Sequence, residues 1–326
     1  MKHGANIYKY KNPSSIIDFS SNINLHNPKN NFTLSRKKVQ RYSDTTYKKL
    51  KKTINKNYNL KTSQIALYNG ATTAIVELIK HLKNQHIYLY APLYGEYENA
   101  TKLTNKKLHK INRFKNLYKK VKKHSIVVFV NPSTPDGKYY NLNKLFKMWK
   151  KQKTTVILDE SFLEFENLQS YLPKLKTYKK LYIIHSFSKF YSCAGVRIGA
   201  IFSNKKNIDK LKQPIWNLST FDVEFLTQRL NNKKFKNKTL KKHKKAKNQL
   251  FKVLNNSKHI KKIIPSDTNF FLTKVKKPNK LFKKLLQQNI LVRKCESFDF
   301  LNKHYFRFAV KKLKNIENLN SKMKKI

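Results

Sequence analysis

Between about Asn69 and Ser203, short runs of β-branched and aromatic residues alternate with stretches whose apolar positions recur at helical spacing. The runs at residues 87–90, 126–130, 156–158, 181–185 and 198–202 predict strands, and several are apolar throughout, as strands covered on both faces are. Helices are predicted between them, including 72–82 and 142–151. That order specifies an α/β domain around a mostly parallel sheet. After about Pro214 the pattern changes to a long basic helix over 239–254, strands near 269–273, 290–293 and 305–310, and a helix over 280–288, which predicts a smaller α+β domain. The expected divisions are an N-terminal arm (1–40) that contributes to the small domain and the site, a large domain (41–213) and a small domain (214–326). No long Gly, Ser or Pro linker separates them, so close packing around a site built between them is expected.

An apolar fraction of 39% over 326 residues supports a large folded core. No segment approaches the roughly 20 apolar residues that span a bilayer, and the start of the chain lacks the apolar centre of a signal peptide, so no membrane association and a cytoplasmic location are expected. Cys193 and Cys295 stand in unlike contexts without metal-ligand spacing and read as reduced thiols. The net charge of +55 raises nucleic-acid binding. The lysines, however, fall in small groups over the whole length (Lys48-Lys49, Lys122-Lys123, Lys244-Lys245), with no single stripe, and arginine is scarce. Solvated surface is therefore the expectation, with polyanion binding and steering of an anionic substrate left open.

The most informative segment is His185-Ser186-Phe187-Ser188-Lys189-Phe190-Tyr191, followed by Gly195-Val196-Arg197. A lysine just beyond a buried strand, between hydroxyl residues and ahead of an arginine, can form an imine with an aldehyde while its neighbours hold a phosphate dianion. Asp159 ends an apolar strand, where ligands of open α/β sheets bind, and a carboxylate there can keep a pyridine nitrogen protonated. Asn69-Gly70-Ala71-Thr72 joins a strand to a helix, so N–H groups and hydroxyls can cradle phosphate at the helix start. Taken singly, an acid at a strand end and a Gly-Thr pair also read as ordinary helix caps.

Together with Pro92-Leu93-Tyr94-Gly95-Glu96-Tyr97 and Asn131-Pro132-Ser133-Thr134-Pro135-Asp136-Gly137, these motifs resemble class I/II aminotransferases in order and spacing, from His3 to about Val310. The resemblance implies the fold type I of pyridoxal-phosphate (PLP) enzymes, with Lys189 carrying PLP as a Schiff base and Asp159 at the pyridine nitrogen. It implies a phosphate cup of Gly70, Ala71, Thr72, Ser186, Ser188 and Arg197, with Tyr94 stacked on the ring. Tyr42 looks like the tyrosine that reaches the cofactor phosphate of a partner subunit, which implies a homodimer with shared active sites. In one departure, Thr134 stands where the family has an Asn bonding the ring hydroxyl. The Thr134 hydroxyl can make one such bond, and Asn131 is a second candidate.

The start, His3-Gly4-Ala5-Asn6, and the run Asp18-Phe19-Ser20-Ser21-Asn22-Ile23-Asn24 are similar to threonine-phosphate decarboxylases of cobalamin synthesis and, less closely, to histidinol-phosphate aminotransferases. Phe162 matches the decarboxylases, where the aminotransferases have Tyr. A phosphorylated amino acid needs two further anion holders, which Arg293 and Arg307 can supply as bidentate forks. The resemblance places Arg307 at the α-carboxylate, and Arg293 with His3, Gly4 and Asn22 at the substrate phosphate. Decarboxylation of O-phospho-L-threonine or O-phospho-L-serine is the expected reaction. Histidinol-phosphate transamination is the alternative, and a polyanion-binding homologue with weak catalysis a second.

Overall fold

The computed structural model describes residues 4–26 and 32–326, so the expectation for His3 lies outside the described residues. Along the chain run β1 (Ile17–Asp18), α1 (Arg36–Val39), α2 (Lys48–Tyr58), β2 (Ile65–Asn69), α3 (Gly70–His81), β3 (His86–Ala91), α4 (Glu96–Leu103) and β4 (Lys107–Asn112). Next come β5 (Ile126–Val130), α5 (Asn143–Lys151), β6 (Thr155–Asp159), β7 (Leu181–Ser186), β8 (Ile198–Phe202), α6 (Lys205–Asp209), α7 (Thr220–Asn231) and α8 (Lys233–Asn255). The last part holds β9 (Ile260–Ile263), β10 (Phe270–Val275), α9 (Pro278–Gln287), β11 (Ile290–Leu291), β12 (Arg293–Lys294), β13 (Tyr305–Ala309) and α10 (Leu313–Lys325).

Seven strands form one sheet in the order β2-β8-β7-β6-β5-β3-β4. All neighbours from β4 to β7 are parallel, and β8 is antiparallel to both β7 and β2. The stretch from β7 to β8 contains no crossover helix, so the chain returns antiparallel. Residues alternate between two cores: Val127, Phe129, Val156, Leu158 and Ile183 pack on one face, and Ile126, Val128, Ile157, Tyr182 and Ile184 on the other. Apolar residues at every strand position follow from having both faces covered.

A four-stranded sheet, β12-β13-β10-β9, carries the second unit, with a core of Phe271, Leu285, Phe306, Phe308 and Ile316 that also takes in Phe19 from the N-terminal arm. The predicted strand over 290–293 divides at Val292, since β11 pairs parallel with β1 and β12 antiparallel with β13. Helix α8 starts at Lys233, earlier than its periodicity suggests, because the Asn232 side chain caps it by accepting from Phe235 N at 3.0 Å. Leu218, Leu226, Leu230 and Phe235 belong to the large core, whereas Ala246, Leu250 and Leu254 belong to the small one. The cores therefore change over inside α8, beyond the boundary expected at Pro214. Strand β4 (KLHKIN) was not foreseen because an edge strand rich in lysine carries little apolar signal.

Two positions fix how the sheet meets its surroundings. A Cβ on Gly199 of β8 would lie 2.3 Å from Ala71 N, so the start of α3 packs directly on that strand's backbone. At the end of β6, buried Glu160 accepts from Ser170 Oγ (2.6 Å) and Tyr171 N (2.7 Å) and ties down the following loop. Burial raises its pKa to about 7 against those two bonds.

Gly199→Ala is expected to destabilise the protein by about 1–3 kcal/mol, seen as a lower urea midpoint, because the backbone of α3 must give way. Glu160 is protonated more readily folded than unfolded, so its contribution is complete below pH 4.5 and is lost as pH rises through about 7. Glu160→Gln should therefore gain on the wild type by roughly 3 kcal/mol between pH 4.5 and pH 8, measured by denaturant titration at both ends.

Candidate active site

The carboxyl ends of β6 and β7 open into a cavity of about 470 Å³ between the two sheets, where an open α/β sheet receives ligands. Asp159, the last residue of β6, accepts Tyr97 OH at 2.9 Å and Ser161 N at 2.9 Å. Those bonds hold the carboxylate in one orientation and leave lone pairs for another donor.

Lys189 stands in the turn after β7, half-buried, with its amine 5.0 Å from the centre of the Phe162 ring. Loss of hydration lowers its pKa, with the Arg197 and Arg307 charges acting the same way and Asp159 opposing them. A lysine so placed gives up its proton more easily and becomes a better nucleophile near neutral pH.

On one side of Lys189 lies the start of α3. Gly70 has φ +79°, and a Cβ there would lie 2.7 Å from Arg197 Nη2, so only glycine lets the guanidinium cross it. Ala71 and Thr72 follow, with the Thr72 hydroxyl 3.3 Å from Tyr94 OH. Ser186 and Ser188 hydroxyls are 2.9 Å apart, and Arg197 Nη1 donates to Ala194 O at 3.2 Å. Backbone N–H groups, hydroxyls and a guanidinium thus converge on one spot at a helix N-terminus.

On the other side stand two arginines of the small sheet. Buried Arg307 donates from Nη1 to Thr134 Oγ1 (3.0 Å) and from Nη2 to Ser20 O (3.1 Å), and its Nε has no partner. Burial lowers its pKa to about 10, which leaves it cationic at neutral pH. Arg293 donates to Ser297 Oγ at 2.8 Å, and a Cβ on Gly4 would lie 3.3 Å from Arg293 Cδ. Asn22 is buried with Oδ1 unpartnered.

Of the residues predicted from sequence, Gly4, Asn22, Ala71, Thr72, Tyr94, Thr134, Asp159, Ser186, Ser188, Lys189, Arg197, Arg293 and Arg307 all line this cavity. Gly70 lies beneath Arg197. Asn131 does not join them: its amide donates to Tyr140 O (3.0 Å) and accepts from Tyr140 N (2.8 Å), so it is spent on the backbone of its own loop. Tyr42 lies outside this cavity, 80% exposed and stacked on Trp216 with ring centres 4.4 Å apart. Both cysteines are free and buried.

Sequence reasoning missed several contributors. Tyr97, which holds Asp159, lies in the first turn of α4, and its partner is 62 residues away, so no local pattern pointed to it. Buried Arg113 donates to the carbonyls of Tyr90, Pro92 and Thr134 and pairs with the Asp136 carboxylate, joining the loop of Tyr94 to the loop of Thr134. An arginine among lysines was its only signal.

Residues 4–322 match the family described as aminotransferase class I and II. The chain is 27% identical to the adenosylcobalamin biosynthesis bifunctional protein CobDQ of Leptospira interrogans over 95% of its own length, spanning 39% of that longer protein. It is 29% identical to a protein of Caldanaerobacter subterraneus provisionally named as a threonine-phosphate decarboxylase, over 95% of this chain and 90% of the other. Among solved structures, the histidinol-phosphate aminotransferase of Clostridium acetobutylicum superposes with a TM-score of 0.86 at 29% identity, covering 94% of this chain and 98% of that one. With the matched span covering both sheets and the cavity between them, the chain belongs to the class I and II aminotransferases, a family of enzymes that work with pyridoxal 5'-phosphate.

Proposed function

We propose that this enzyme decarboxylates a phosphorylated amino acid, O-phospho-L-threonine or O-phospho-L-serine, to an amino-alcohol phosphate of the kind used in cobalamin synthesis. The observation that carries the reading is a pair of small-sheet arginines, Arg293 and Arg307, that line the same cavity as Lys189 and the start of α3, with Arg307 Nε still unpaired.

The residues present suit the cofactor. Lys189 offers a hydration-poor amine for the aldehyde, and Asp159 a fixed carboxylate for the pyridine nitrogen. Tyr94 lies where an aromatic ring can cover the cofactor, and Thr134 can donate its hydroxyl proton while accepting from Arg307. Gly70, Ala71, Thr72, Ser186, Ser188 and Arg197 supply the donors for its phosphate. Once bound there, PLP would supply an electron sink for the substrate's α-carbon.

Arg307 takes the α-carboxylate and Arg293 the substrate phosphate, helped by Gly4 and Asn22, which fixes the substrate at two anions. Loss of CO2 leaves an electron pair on the α-carbon, and a proton taken up there completes the product. Phe162 beside the Lys189 amine supports this reading, since it offers no hydroxyl at a position where the related aminotransferases carry tyrosine. The similarity to a histidinol-phosphate aminotransferase supports the second reading, transamination of histidinol phosphate. Tyr42, exposed beside Trp216, serves the partner's cofactor phosphate in a homodimer.

The PLP-loaded protein should release CO2 from O-phospho-L-threonine or O-phospho-L-serine, and Lys189→Ala should slow this by about a thousandfold or more. Formation of glutamate from histidinol phosphate with 2-oxoglutarate, without CO2 release from either phospho-amino acid, would establish the aminotransferase instead. Arg307→Lys should raise KM for the phospho-amino acid by roughly ten- to a hundredfold, because the planar two-pronged contact is lost. Sedimentation equilibrium should give twice the monomer mass.

A further inference from the structure

The N-terminal segment runs from the small sheet to the turn that carries Lys189. Four consecutive carbonyls are held by the small sheet and its continuation: Phe19 O by Ala309 N (2.9 Å), Ser20 O by Arg307 Nη2 (3.1 Å), Ser21 O by Lys311 Nζ (2.6 Å) and Asn22 O by Asn269 Nδ2 (2.7 Å). Phe19 anchors the segment in the small core. Two residues later the partners change. Asn24 N donates to Lys189 O at 3.0 Å, and Asn24 Nδ2 donates to Phe190 O at 2.8 Å.

In the turn that carries Lys189, the four carbonyls of residues 187–190 all have donors. Those of Phe187 and Ser188 are taken from within, by Tyr191 N (3.3 Å) and Cys193 N (3.1 Å). Those of Lys189 and Phe190 are taken by Asn24. Asn24 is itself buried, and its Oδ1 accepts from His26 N at 2.9 Å, which fixes the amide's orientation. Arg307 stands at the other end: it grips the segment at Ser20 O while its unpaired Nε remains in the interior beside the cavity.

We propose that Asn24 is a positioning residue for Lys189, and that the strap 18–24 couples anion binding at Arg307 to the placement of the Lys189 main chain. The coupling rests on the reading that Lys189 carries PLP and Arg307 takes a substrate anion. A segment bonded at four successive carbonyls has little slack, so an anion that draws the Arg307 guanidinium moves the strap, and Asn24 passes that movement to the turn. The strap thus reports substrate occupancy to the lysine without touching the substrate at Asn24.

The test uses the PLP-loaded full chain with inorganic phosphate as the anion probe: Arg293 and Arg307 are cross-strand partners, so a small dianion held by one stands beside the other, and bound PLP already fills the helix-start cradle. Hydrogen exchange of a peptide spanning 187–193 and the pH midpoint of the lysine-bound cofactor's absorbance are followed with and without phosphate. In the wild type, phosphate should slow exchange in that peptide and shift the midpoint. In Asn24→Ala, basal exchange there should rise about three- to tenfold, the opening that one or two neutral hydrogen bonds oppose. Both phosphate responses should fall to less than about a third, with the Kd for phosphate changing less than about threefold, since Asn24 lies outside the arginine pair.

Wild-type exchange with full phosphate responses in Asn24→Ala, or responses lost only in proportion to lost phosphate affinity, would overturn the proposal. A wild type without any phosphate response would overturn the coupling. If exchange also rises in the strands 126–130 and 156–158, the alanine variant is globally loosened, and Asn24→Asp decides, since it keeps the side-chain size and the acceptor for His26 but loses the donor to Phe190 O. A wild type that takes up no PLP overturns the cofactor reading instead, and basal exchange of the cofactor-free variants still decides whether Asn24 holds the turn.

Discussion

The amine of Lys189 is kept short of water, and the rest of the cavity is arranged around that constraint. A cation in such a place is costly, so the amine sheds its proton more readily, and two guanidiniums nearby add to the pressure. Asp159 acts against them, and its charge is tolerable because Tyr97 and a backbone N–H bond it. The same carboxylate therefore restrains the lysine, favouring its protonated form. Arg113 works one layer further out, neutralised by Asp136, and keeps the loops of Tyr94 and Thr134 in register with each other.

The site is assembled from both units, and no single element holds it. Arg307, on a strand of the small sheet, bonds Thr134 in the turn that follows β5 of the large one. Helix α8 runs from Phe235 in the large core to Leu254 in the small one, so the two bodies share a rigid member. The N-terminal segment adds a second connection, with Phe19 in the small core and Asn24 on the turn that carries Lys189. A cavity framed in this way can exclude water when filled, which strengthens every charge contact inside it.

Much of this was legible from residues alone where local chemistry and global fold agree. The all-apolar runs that became β5 and β8 were found at their observed limits, because a strand covered on both faces has no polar residue to blur its ends. That Lys189, Asp159 and the Gly70 turn meet at one cavity was legible because each follows or ends an apolar strand, where open α/β sheets gather their loops. Asn131 misled because an asparagine in a loop also serves to fold the loop, and here its amide does only that. Tyr97, Arg113 and Asn24 escaped because their partners are remote in sequence. Edge strand β4 and the first turns of α8 are so lysine-rich that hydrophobic periodicity fades in them.

The burial of acids has a consequence for the molecule as a colloid. Only 17 carboxylates accompany 72 basic side chains, and Asp136, Asp159, Glu160 and Asp222 are withdrawn from the surface. What solvent meets is strongly polycationic, and its like charges repel one another across the fold and gather a cloud of small anions. Dissolved salt is then almost a structural component. Thinning that cloud raises the self-repulsion of the folded state, while crowding it with phosphate or sulfate lets the compact form relax.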